Sequence, residues 1–371
     1  MCAVCLILII GLPSAFHALL GFPWGFLGFS IAVALSAGAL AVQKLWWQKF
    51  TRHPLHWLRA KWGWGKSIAE LARRLDMVQA ELEAFQPAYK EVFIAKRNGD
   101  RRRLLVPNDV TKVIQRRILR RLLGKLRVHP AAQGFVKDRS AIKNAAAHVG
   151  QAVVITLDIV DFFPSTGHER IEAYFRRIGW NAQTSKLLTR LTTWEGGLPQ
   201  GAPTSPALSN LVNFYMDAQI ARKVAQKKGT YTRYADDIAI SYPLDYPATI
   251  HSIVDKVKRI ARSKGYRIHT SRKLRIRRQH QRQVVTGLVV NAKPQLPRKL
   301  RRWLRAVAHH RANGKPITLS EAQWLGWKSY LHAIAKQAGE VELKAYRLKD
   351  NRRIVARRKK MQKRRKKEAT K

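Results

Sequence analysis

The chain has 371 residues, enough for two or three domains, and carries 71 Lys and Arg against 23 Asp and Glu, a formal net charge of +48. A compact fold with that imbalance repels itself, so a polyanion partner is implied, nucleic acid first and an anionic membrane surface second. The two cysteines, Cys2 and Cys5, exclude a disulfide framework and a zinc site and suit a reducing cytoplasm.

Residues 1–43 contain no Lys, Arg, Asp or Glu, and "GFLGFSIAVALSAGALAV" at 25–42 is long enough by itself to span a bilayer, which takes about 18 or more apolar residues. The segment reads as one or two transmembrane helices, most simply a two-helix hairpin turning at "GFPWG". The alternatives are one span with an interfacial lead-in, or a buried soluble helix pair. The basic residues that follow place the remaining body in the cytoplasm. Residues 44–66 ("KLWWQKF", "RAKWGWGK") form a basic, aromatic linker, suited to a membrane interface or to solvent.

"SIAELARRLDMVQAELEAF" (67–85) opens on a capping box, Ser67 with Glu70, and continues as an amphipathic helix. A hairpin over 89–107 turns at "NGD", and the basic helix "VTKVIQRRILRRLLGKL" follows. The strand "AVVITLDI" then leads to helices over 168–192 and a long helix "LSNLVNFYMDAQIARKVAQ". The hairpin "YTRYADDIAIS" (231–241), a helix over 247–264 and strands near 266–277 and 283–290 come next. Helices dominate from Arg298 to about 346, and a basic low-complexity tail closes the chain over 347–371.

Asp236 and Asp237 stand side by side at the tip of the 231–241 hairpin, where like charges repel unless a cation lies between them. The strand exit "LDIVDFFPST" supplies Asp158 and Asp161. If Asp158 lies opposite the hairpin tip in one sheet, three carboxylates converge as hard oxygen donors for divalent ions. Two Mg2+ ions there would activate an attacking hydroxyl and stabilise a leaving pyrophosphate.

"YADD" (234–237), "LDIVDFFPS" (157–165) and "LPQGAPTSPALSN" (198–210) together resemble the central motifs of reverse transcriptases, in the expected order. "QGFVKDRSAIKNAAAH", with Asn144, Ala145 and His148, and "VTGLVVN" (285–291) resemble the NAxxH and VTG elements of the retron reverse transcriptases of bacteria. The likeness covers about residues 67–345, and the charge-free N-terminal segment departs from it. It implies an α+β right-hand polymerase fold: fingers and N-terminal helices over 67–150, a palm with an antiparallel sheet over 151–292, and a helical thumb over 293–346.

The resemblance implies Asp158, Asp236 and Asp237 as the metal-binding palm carboxylates and Phe163 as the ring beneath the incoming sugar. Gln200 and Gly201 fit a loop that meets the nucleotide, and Arg102 a triphosphate clamp, with adjacent Arg103 the alternative in register. Lys273 is the candidate proton donor to pyrophosphate. Asn144 and His148 are assigned to structured RNA or the priming site. In the thumb the cations Arg301, Arg302, Arg305 and Lys328, rather than the neighbouring tryptophans, are assigned to RNA. The implied substrates are deoxynucleoside triphosphates and a structured noncoding RNA template. Priming from a 2′-hydroxyl would leave a short DNA joined to RNA (msDNA) in an antiphage defence setting, with residues 1–43 as membrane anchor or effector. A membrane-tethered RNA-binding scaffold without polymerase activity and a group II intron-like reverse transcriptase are the alternative readings.

Overall fold

The computed structural model describes residues 65–95, 99, 101–269 and 274–341. The expected membrane segment, nearly all of the linker, Lys273 and the basic tail lie outside the described residues. Among the described residues no helix is long and apolar enough to cross a membrane.

The helical expectation over 67–85 resolves into α1 (Ile68–Leu75) and α2 (Gln79–Ala84). Ser67 caps α1 by accepting from the Glu70 backbone N–H, but the capping box is only half made. The Glu70 carboxylate turns instead to Arg73 and Arg74, one turn along, which hold it below the usual carboxylate range. Asp76 ends α1 in a left-handed conformation, φ 59°. Strands β1 (Tyr89–Ala95) and β2 (Arg101–Pro107) form the expected hairpin, with Ala95 opposite Arg101. Helix α3 (Asp109–Ile118), capped by the Asn108 side chain, runs into a π-helical turn over Leu119–Leu123.

Helix α4 (Ala141–Ala146) precedes strand β3 (Val153–Asp158), and α5 (His168–Arg177) and α6 (Ala182–Thr192) follow it. The long helix expected next is broken at Asn213 into α7 (Ser205–Val212) and α8 (Phe214–Ala225). Asn213 is fully buried and donates through Nδ2 to the Ser209 carbonyl and to the Tyr266 hydroxyl. A side-chain amide competing for backbone groups in this way interrupts a helix that periodicity alone would continue.

Strands β4 (Thr230–Tyr234) and β5 (Asp237–Tyr242), helix α9 (Pro247–Arg262) and strand β6 (Arg275–Arg278) complete a four-stranded antiparallel sheet of order β4-β5-β3-β6. The later strands are shorter than their apolar runs suggest: β7 (Val284–Val285) and β8 (Leu288–Val289) make a separate small hairpin. Helix α10 (Arg298–Ala312) and helical residues 321–341 close the described chain.

Period-two alternation assigns the two faces of the sheet. Val153, Ile155, Leu157, Ile238, Ile240 and Tyr242 point into a core shared with Met216, Ile220 and Val224 of α8 and with Ile250, Ile253, Val254 and Val257 of α9. On the opposite face Val154 and Ala239 pack under Ile142 and Ala145 of α4, the β7–β8 hairpin and Leu304 of α10. A third cluster joins α1, α3, α5, α6 and α7. At about 1.5–3 kcal/mol for each large apolar side chain buried, these clusters supply most of the drive to fold. They cover the second face of the sheet only partway along β3, so its Asp158 end remains open.

Candidate active site

At that open end β3 and β5 stand in register, with Asp158 directly opposite Asp237. Cross-strand partners in an antiparallel pair project from the same face, so the two carboxylates share the side that also carries Thr156 and Ala239. Asp236 sits between β4 and β5 in a two-residue turn closed by the Tyr234–Asp237 pair. The first turn residue, Ala235, has φ 57°, a left-handed conformation that costs a non-glycine residue roughly 1–2 kcal/mol. The Ile159 N–H donates to the Asp236 carbonyl at 3.1 Å, which pins the hairpin tip to the β3 exit.

Asp158 is 6% exposed, while Asp236 is half-buried and Asp237 exposed. The His269 N–H donates to the Asp158 carbonyl at 2.9 Å, and its ring Nε2 lies 3.4 Å from Asp158 Oδ2. A cavity of about 370 Å³ opens beside the acids, lined among others by Asp158, Asp237, Thr156, Asn144, Arg275 and Thr286. The two signature stretches around Asn144 and Val285–Gly287, far apart in sequence, thus meet at one wall below the carboxylates.

Phe163 lies half-buried on the loop after β3, its ring 5.4 Å from that of Phe162 and 6.1 Å from that of Phe135. Its carbonyl accepts from Leu198 N–H, which joins this loop to the Leu198–Gly201 loop. The Gln200 carbonyl in turn accepts from Leu105 of β2 at 2.8 Å. Gly201 has φ 136°, and a Cβ there would stand 2.6 Å from the Leu105 carbonyl oxygen, so only glycine allows this approach. The β1–β2 hairpin is therefore seated on the Gln200–Gly201 loop.

Arg102 and Arg103 occupy opposite faces of β2. Arg103 forks onto Glu195 at 2.7 and 2.8 Å and also contacts Glu91, and these carboxylates, Glu195 foremost, hold its guanidinium above the usual arginine range. Arg102, paired with Ile94, is exposed on the other face.

His148 corrects the expectation of an RNA contact. It is 0% exposed, with Nδ1 2.7 Å from the Ser241 hydroxyl and Nε2 2.7 Å from the Thr232 hydroxyl, and burial pushes its pKa down to about 4. A ring enclosed between β4 and β5 braces the hairpin and has no surface to offer RNA. Asn144 is also buried, 1% exposed, although it reaches the cavity wall. Arg301, Arg302, Arg305 and Lys328 are exposed. Trp303 and Trp327 meet edge to face at 6.1 Å, so these rings pack the helices together.

The residue that sequence reading passed over is Arg233, immediately before "YADD". It is fully buried and forked onto the equally buried Asp217 of α8, Nε to Oδ1 at 2.8 Å and Nη2 to Oδ2 at 2.7 Å. Against burial, Asp217 holds its guanidinium above the usual arginine range. Its remaining nitrogen reach extends to the turn: Nη1 donates to the Ala235 carbonyl at 3.0 Å, and Nη2 also to Asn210 Oδ1 at 3.2 Å. The available signal was Asp217 itself, an acid in register with the apolar stripe Ile220 and Val224, where a buried charge demands a partner.

Residues 94–326 match the family model described as reverse transcriptase (RNA-dependent DNA polymerase). The retron Mx162 reverse transcriptase of Myxococcus xanthus is 35% identical over 273 residues, covering 64% of this chain and 56% of that protein. The retron Mx65 reverse transcriptase of the same organism is 33% identical, covering 68% of this chain and 62% of that protein. The chain thus spans less than two thirds of the length of these two relatives. The retron Ec86 reverse transcriptase of Escherichia coli is 31% identical over 250 residues, covering 66% of this chain and 76% of that protein. A solved telomerase from Candida albicans, in complex with a fragment of telomeric RNA, aligns with a TM-score of 0.43 and 11% identity over 62% of this chain and 48% of that one, too remote to add weight. With opposed acids at the sheet exit and the family model spanning more than half of its length, the chain belongs to the reverse transcriptase family, and it is similar within that family to retron enzymes.

Proposed function

We propose that this protein is an RNA-directed DNA polymerase that copies a structured noncoding RNA into a short single-stranded DNA. The observation that carries this reading is the register that sets Asp158 opposite Asp237, with Asp236 in the adjoining turn, in a chain of this family. In this reading residues 67–150 are the fingers, 151–292 the palm and 293–346 the thumb.

The donor set fits magnesium. Among the described residues no three His, Cys, Asp or Glu side chains are gathered closely enough to cage an ion. Mg2+ is usually held by one or two carboxylates and completes its octahedron with water and substrate phosphates, so two opposed aspartates and a third beside them suit it. Asp158, Asp236 and Asp237 would hold two ions, which supply activation of the attacking hydroxyl and charge neutralisation at the phosphates.

The chain's own residues do the rest. Phe163 forms the floor on which the sugar rests, and its bulk disfavours a 2′-hydroxyl. The Gln200–Gly201 backbone brings the fingers hairpin to the nucleotide, and Arg102 or Arg103 offers a guanidinium fork to the triphosphate. Lys273 is the proposed proton donor to pyrophosphate. The exposed cations Arg301, Arg302, Arg305 and Lys328 grip the RNA backbone, a contact that weakens steeply with salt.

Primer extension on an RNA template with Mg2+ and deoxynucleotides tests the assignment. Wild type should extend, and Asp236→Ala or Asp237→Asn should lose about a thousandfold, several kcal/mol of transition-state stabilisation. Equal product from variant and wild type would remove the metal assignment. The charge-free residues 1–43 support a further part of the proposal, a membrane anchor for a body that works in the bacterial cytoplasm. Full-length protein should sediment with membranes and a 44–371 truncation should not. The same pair under phage challenge reads out an effector role, and equal partitioning of the two would remove the anchor.

A further inference from the structure

Phe135 stands out in the described chain as a large aromatic residue that is both strained and exposed. Its φ is 61°, in the left-handed region that bulky side chains avoid, and it is 52% exposed. Its ring lies 6.1 Å from Phe163 and 6.5 Å from Tyr234. Tyr234 is the cross-strand partner of Asp237, so its ring lies on the carboxylate side of the sheet. Phe135 lies within reach of both other rings and is the least covered of the three.

The backbone around Phe135 is clamped. Residues 131–133 run beside β4, with Arg233 N–H donating to the Ala131 carbonyl at 2.8 Å and Gln133 N–H to the Arg233 carbonyl at 2.7 Å. A Cβ on Gly134 would stand 2.8 Å from the Ala235 nitrogen, so the segment lies directly against the aspartate turn. Asn210 Nδ2 donates to the Gly134 carbonyl at 2.8 Å, and Asn210 Oδ1 accepts from Arg233. Arg139 ties the far side by donating to the carbonyls of His129 and Pro130 and also to that of Ala132. Strain survives where surroundings over-determine a conformation, and here the clamp holds an exposed apolar ring next to Tyr234, one turn residue away from the acids.

We propose that Phe135 is a substrate-contacting residue whose ring packs against the nucleobase of the nascent pair. Aromatic rings accept any base by its π-face, which suits a wall that must tolerate all four. The inference deepens the polymerase reading and rests on it. The clamp makes Arg233, Asp217 and Asn210 positioning residues for both the ring and the aspartate turn.

The test uses full-length protein, a poly(rA)–oligo(dT) substrate with dTTP, and a second primer–template carrying 2-aminopurine as the templating base. Phe135→Gly accepts the left-handed backbone and removes the ring. Phe135→Leu keeps apolar bulk without a π-face and serves where the glycine variant loses its cooperative melt. Either should raise the KM for dTTP about tenfold or more and relieve quenching of 2-aminopurine, while Phe135→Tyr or Phe135→Trp restores both. If wild type extends and the ring-less variants match it in KM and quenching, Phe135 is packing only and the inference fails while the polymerase stands. If wild type does not extend, the polymerase reading fails. Quenching, which requires no chemistry, then decides alone whether the ring meets a base.

Discussion

The β1–β2 and β4–β5 hairpins each carry an arginine forked onto a carboxylate, in opposite surroundings. Arg103 meets Glu195 and Glu91 with its side chain 41% and theirs 51% and 48% exposed. Arg233 meets Asp217 with both side chains at 0%. Water and salt screen the first pair, so it adds little to stability, and in the proposed function its guanidinium would exchange carboxylates for phosphate when a nucleotide arrives. The second pair is locked, because either partner left alone would be a buried charge. The outer pair is therefore held weakly and the inner one firmly, a contrast that the proposed function would use for a substrate clamp and a fixed aspartate turn.

Substituting the acid that each arginine meets, and following thermal unfolding, tests that contrast. Asp217→Asn should cost about 3–5 kcal/mol, by leaving the Arg233 charge buried and slackening the Ala235 turn. A loss no larger than that of a typical surface substitution would show that the network does not lock the turn. His148 gives the next effect, through pH. Its folded pKa is about 4 against an ordinary 6.5, so below pH 6.5 the unfolded chain binds a proton that the native ring refuses. Stability should fall as pH drops from 6.5 towards 4, by about 3 kcal/mol over that window, and His148→Gln should flatten that part of the curve. A slope unchanged in the variant would assign the acid sensitivity to other groups. Glu195→Gln, at the exposed end of the series, should leave the melting temperature unresolved from wild type, while the KM for deoxynucleotide falls or holds as Arg103 is released. A large drop in melting temperature would make the outer pair structural after all.

Much of the site was legible because it is local. "LDIVDFF" and "YADD" are a strand exit and a hairpin tip, and antiparallel pairing of two apolar runs brings such ends together in few ways. Gly201 reads as a glycine that lets its loop approach the nucleotide; its close approach to the Leu105 carbonyl appears only in the fold. The misreadings share one cause: neighbours from distant sequence. Asn213 splits a helix where the hydroxyl of Tyr266, far along the chain, shares its amide. His148, four residues from Asn144 on what reads as one helical turn, ends beneath a hairpin that starts more than eighty residues later. Phe135 looks like any loop aromatic until Gly134 is seen pressed against Ala235.

By itself the sequence determined the basic polyanion-binding character, the alternation that sorts each strand into a core face and a carboxylate face, and the acids at their ends. These follow from charge count and from a side-chain period of two, which need no partner. Tertiary structure alone decided which arginine is buried with its partner and which is exposed, that His148 is a brace, and that Phe135 is held in the exposed left-handed segment beside the Ala235 turn. Burial and hydrogen-bond satisfaction are properties of what the fold brings alongside a residue, and those neighbours come from segments that the local sequence does not name.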